Sequence, residues 1–140
     1  MIEFVYYTGF ELKNQKQVSN WLLSLANKEG FSIKNLYYNY VSPSQIQSLN
    51  HEFLKHDYVT DVLAFDYCDG TELSAEVFIC QSEVEKNAKK LSQSIENESL
   101  RVLCHALFHL CGYSDKTDKE LAVMRTKEDS AISSFKTTHK

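Results

Sequence analysis

The sequence holds a single proline, Pro43, and none of its four cysteines stands in a C-x-x-C pair. Cys68, Cys80, Cys104 and Cys111 are separated by 12, 24 and 7 positions, which argues against a zinc ribbon or a dithiol redox motif. They are expected to be reduced, mostly buried small apolar residues in a cytoplasmic protein. No uncharged run approaches the roughly 18 residues of a membrane span, and the first residues lack the basic-then-apolar pattern of a secretory signal. Neither secretion nor a membrane partner is expected. A basic excess is missing as well. The formal charge of -4 and pI near 5.7 exclude a protein that coats nucleic acid by bulk electrostatics, so any RNA contact must be local. With 140 residues, 43% of them hydrophobic, and no repeat or low-complexity tract, one domain spanning 1–140 with its own core is expected.

What is present reads as alternating strands and helices. Ile2 to Tyr7 is β-branched and aromatic, the pattern of an edge or first strand. Val18, Trp21, Leu22, Leu25 and Ala26 recur at helical spacing before Gly30, so a helix is expected to lay its tryptophan face on the sheet. Phe31 to Tyr40 reads as a second strand, and Ser42-Pro43 opens a helix running to about Leu54. The apolar run Val62 to Phe65 has the character of a central strand. Asp69-Gly70 then makes a hairpin turn into a returning strand, Glu76 to Cys80. Ser82 to Glu85 reads as a capping box, and Lys86, Lys89 and Lys90 as a solvated helix face. Helix starts are also expected at Asn97-Glu98 and at Thr117 to Glu120, with a frayed tail after Ser134. The fold class is α+β, a small mixed sheet covered by several helices.

The stretch Cys104 to Asp115 carries the chemistry. His105 and His109 lie four residues apart, so a helix projects both imidazoles from one face, within reach of one metal ion. Gly112 is suited to end that helix, and Asp115 follows three residues later. Two imidazole nitrogens and a returning carboxylate form a three-ligand set with a position left for water. A competing reading is that the histidines, set among Leu103, Ala106, Leu107, Phe108 and Leu110, are hydrogen-bonded core residues.

The run His105-x3-His109-x2-Gly112-Tyr113-x-Asp115 resembles the H-G-x-L-H-L-x-G-Y-D-H signature of the YbeY family of metal-dependent endoribonucleases. Upstream, Leu49-Asn50, Phe53, Asp57 and Thr60-Asp61-Val62-Leu63-Ala64-Phe65 resemble that family's L-N-x-x-Y-R-x-K-D-x-P-T-D-V-L-S-F segment. Glu76 to Cys80 resembles its next strand, and Glu120, Met124 and Glu128 the pattern after the metal motif. The resemblance implies one zinc ion, single-stranded RNA as substrate, a role in ribosomal RNA maturation and ribosome quality control, and contacts with ribosomal proteins or the small subunit; DNA is not expected. It departs from the family pattern at three places. Asp115 stands for the third histidine, Leu54 for an arginine, and His56 and Val59 for a lysine and a proline.

On that resemblance His105, His109 and Asp115 hold the metal, while Lys55 and His56 are candidates for neutralising phosphate charge. Asp61 reads first as a cap or turn residue, and alternatively as a group that orients a ligand or water beside the metal. No residue is assigned as general base. A metzincin-type protease shares the histidine spacing but needs glutamate after the first histidine, where this chain has Ala106. A non-catalytic ribosome-associated factor, its metal only stapling the last helices, is the rival of a different class.

Overall fold

The computed structural model describes residues 1–54 and 59–139. Its elements run β1 (Ile2–Tyr6), α1 (Gln15–Lys28), β2 (Ser32–Tyr40), α2 (Pro43–Leu54), β3 (Val62–Asp66), β4 (Glu72–Ile79), α3 (Gln81–Lys90), α4 (Ile95–Leu110) and α5 (Asp118–Thr138). The four strands form one mixed sheet in the order β1-β2-β4-β3. β1 and β4 both run parallel to β2, whereas β3 pairs antiparallel with β4, as the Asp69-Gly70 turn requires.

Strand alternation divides the apolar residues between two faces. Leu36, Tyr38 and Tyr40 of β2 join Leu73, Ala75, Val77 and Ile79 of β4 in the main core, against α1 and α4. Leu63 and Phe65, placed opposite Phe78 and Glu76, face the other way and pack with Ile46 and Leu49 of α2. β3 is thus an edge strand, not a central one. Its apolar run reflects helices on both sides, α2 over one face and α4 by the other, and hydropathy does not separate that situation from a strand flanked by two neighbours.

Helix boundaries also differ in part. α3 begins after Cys80, which lends no side-chain cap; its carbonyl accepts from Glu83 and Val84, so Ser82 lies inside the first turn. α4 is capped by Ser94, whose Oγ accepts from Asn97 N at 3.0 Å, and Asn97 is the third residue of that helix. Thr117 and Glu120 do form a reciprocal capping box at α5. The chain after Ser134 is helical to Thr138, because Phe135 is buried against Trp21 with ring centroids 5.3 Å apart. Trp21 also donates from Nε1 to Ala131 O at 2.9 Å, so the tryptophan of α1 meets α5 while its neighbours meet the sheet. Among the described residues, no helix is long and apolar enough to cross a membrane.

Candidate metal centre

α4 is the buried helix of the fold, and its apolar residues Leu103, Leu107 and Phe108 press into the main core. The same packing orients the opposite stripe, so His105 and His109 emerge together on the open side, with ring centroids 4.6 Å apart. The helix ends in a Schellman motif built on Gly112, whose φ of 102 is favoured for glycine. Gly112 N donates to His109 O and Tyr113 N to Phe108 O, each at 3.0 Å, and the Tyr113 ring stands edge-on to Phe108. This reversal brings Asp115 back under the histidines. An added Cβ at Gly112 would touch nothing within 4 Å, so the cost of alanine there lies in the backbone alone. Gly112→Ala is expected to lower unfolding stability by roughly 1–2 kcal/mol, read from the urea midpoint; an unchanged midpoint would show that the reversal is not held at this angle.

The structure brings His105, His109 and Asp115 together, their ligand atoms all within 4.8 Å of one another. Asp115 Oδ2 lies 3.4 Å from Nε2 of each histidine. Ligands about 2.1 Å from a tetrahedral zinc are separated by about 3.4 Å, so the donor set and its spacing both fit such an ion. The side chains are 19%, 36% and 34% exposed for His105, His109 and Asp115, which leaves the centre open to a substrate. Ala106 faces the core at 2% exposure.

His105 has a second partner whose role the sequence reading did not assign. Nδ1 lies 2.5 Å from Oε2 of Glu128, a carboxylate with 0% side-chain exposure on α5. This contact turns Nε2 toward Asp115 and fixes the ring. The other oxygen, Oε1, accepts from Arg101 and Arg125 at 2.9 Å each. Burial opposes ionisation of Glu128, but the bonds to His105 and Arg101 outweigh it and hold the carboxyl below its usual range. A signal did exist in the sequence: Glu128 interrupts the apolar stripe Met124, Ala131, Ile132 and Phe135 of α5.

The remaining candidates fall elsewhere. Asp61 accepts from Asn87 Nδ2 at 3.2 Å and from Thr60 Oγ1 at 3.4 Å, and its carbonyl accepts from Cys80 N, ties that join β3 to α3. Lys55 and His56 lie outside the described residues. Leu54, the last residue of α2, is exposed. All four cysteines are free, burial pushes the Cys68 and Cys111 thiols up to about 11 and about 12, and among the described residues no cysteine joins the candidate donor group.

Fold and site together define a class: a small α/β domain with a His/His/Asp triad, spaced so that it could hold a metal ion, carried by a helix and the loop that follows it. The sequence model of the family described as Endoribonuclease YbeY matches residues 7–136. An Endoribonuclease YbeY of Flavobacterium johnsoniae is 38% identical over 135 residues, covering 96% of this chain and 97% of the relative. Another from Cytophaga hutchinsonii is 38% identical over 127 residues, covering 90% and 89%. Among solved structures, the solution structure of a Thermotoga maritima protein superposes with a TM-score of 0.67 at 28% identity, over 96% of this chain and 89% of that one. The chain belongs to the YbeY endoribonuclease family.

Proposed function

We propose that this protein is a metal-dependent endoribonuclease acting on single-stranded RNA in ribosomal RNA maturation, with one zinc ion held by His105, His109 and Asp115. The observation that carries the metal is the convergence of three donors, with the carboxylate at tetrahedral spacing from each imidazole, in a chain whose family is one of hydrolytic nucleases. When bound, such an ion supplies Lewis acidity toward a phosphate oxygen and acidifies a water. Everything else falls to the chain itself. The two imidazoles and the carboxylate bind and orient, and Glu128 holds the proton of His105 at Nδ1 so that Nε2 stays free as a donor to the ion. Lys55 and His56 are assigned to the substrate phosphate, where a cation offsets backbone charge. Asp61, with both oxygens engaged, is assigned to positioning the start of β3. Alanine at position 106, facing the core, provides no general base of the protease kind.

Metal removal tests the reading. Chelation with a strong zinc ligand should abolish cleavage of a single-stranded ribosomal RNA fragment, and stoichiometric zinc should restore it. Cleavage that survives exhaustive chelation would refute metal dependence, while full zinc occupancy with no cleavage would favour a non-catalytic factor.

A further inference from the structure

The three donors are not held alike. His105 and His109 sit on a helix locked into the core, but Asp115 lies in the segment between Leu110, the last residue of α4, and Asp118, the first of α5. Among the described residues its polar contacts are the two imidazoles. A carboxylate on a connecting segment points where that segment is held, so the anchor of the segment matters as much as the ligand. That anchor is Tyr113, two residues before Asp115. Its hydroxyl donates to Glu29 Oε1 at 2.6 Å, the short distance of a bond to an ionised carboxylate. Glu29 is the C-cap residue of α1, far away in the sequence. Its other oxygen, Oε2, accepts from Lys127 Nζ of α5 at 2.8 Å. The same ammonium lies 4.8 Å from the centroid of the Tyr113 ring and 5.6 Å from that of Phe108. Burial disfavours the Glu29 anion, yet the bonds from Lys127 and Tyr113 prevail and keep it ionised. Three separate elements thus grip one phenol.

We propose that Glu29, Tyr113 and Lys127 form a clamp that positions Asp115 for the metal, so that metal affinity is set in part by the C-terminal end of α1. The inference rests on the metal reading above and adds residues that neither bind the ion nor touch substrate. The clamp also explains how aspartate serves as third ligand. Its side chain is shorter than that of histidine, and a shorter arm demands a more closely fixed backbone.

The test is zinc affinity, measured by competition with a chromophoric chelator on the full chain. Tyr113→Phe keeps the ring and the cation above it and removes only the hydroxyl; zinc affinity is expected to fall roughly tenfold, as for other groups that orient a ligand. Glu29→Gln should give a fall in the same direction and guards against a folding defect peculiar to the first variant, while Lys127→Arg, which keeps the cation, should stay near wild type. In an Asp115→Ala background Tyr113→Phe should have no further effect, because the residue it positions is gone. Unchanged affinity in both single variants, or an equal loss with and without Asp115, would overturn the clamp and leave the metal site standing. A wild type that binds no zinc would instead overturn the metal site, and the clamp with it.

Discussion

Replacing His109 by alanine is expected to weaken zinc binding by more than about 100-fold, beyond the 10–100-fold typical of outer-shell changes, and to reduce RNA cleavage to the level of the chelated protein. The reason is the economy of the site. Among the described residues three side chains converge on the centre, and His109 contributes one of its two nitrogen donors. This variant is the most informative of the three. His109 is 36% exposed, and among the described residues its ring is engaged by Asp115 and His105, so its removal should change the stability of the metal-free protein by no more than about 0.5 kcal/mol. His105→Ala would confuse the outcome, since it also strips Glu128 of a buried partner. In wild type, zinc at 100 times its dissociation constant should stabilise the fold by about 2.7 kcal/mol, a gain the variant should lack at the same concentration. A variant that retains wild-type zinc content and the full thermal shift would show that the ion, if bound, is held elsewhere.

Glu128→Ala is expected to destabilise the protein by about 3–5 kcal/mol, the cost of removing one member of a buried ionic cluster. Glu128 is fully buried, and three side chains depend on it: Arg101, Arg125 and His105. Arg101 keeps Asp129 at 2.7 Å and Glu98 at 3.4 Å, yet its side chain is only 15% exposed, so the loss of its buried acceptor is not made good by water. Glu128→Gln separates the two roles. The amide retains the volume and one acceptor, so much of the stability should survive, whereas zinc affinity should still fall by 10–100-fold because the charge that supports His105 is lost. Urea unfolding and zinc titration measure the two effects. A loss of less than about 0.5 kcal/mol for the alanine variant, the size of an ordinary surface change, would show that the cluster does not depend on this carboxylate.

The parts of the site readable in advance are those whose geometry is local. Two histidines one turn apart share a face whatever the rest of the chain does, and Gly112 can reverse the chain because its freedom is a property of one residue. The capping box at Thr117 is equally local, and it formed. Cap residues with several candidates nearby were less legible. Ser82 and Asn97 are both able to cap, but the helices start earlier, at Gln81 after an uncapped Cys80 and at Ile95 after the competing cap Ser94. The edge position of β3 was hidden for a different reason. Burial of its side chains comes from helices above and below the sheet, and the number of neighbouring strands leaves no mark on the apolar pattern.

The sequence by itself determined that this chain folds as an α+β domain with two histidines on one helical face, followed by a glycine turn and an aspartate. Each of those features follows from the spacing of residues within a few turns of chain. Only the tertiary structure decided that Glu128 of α5 holds His105, and that Glu29, the C-cap of α1, and Lys127 of α5 hold the loop bearing Asp115. Those contacts join residues 23 to 98 positions apart, and they form because the sheet and α4 bring α1 and α5 to the same end of the site. A carboxylate looks alike in sequence whether it faces water or a buried imidazole; the packing around it makes the difference.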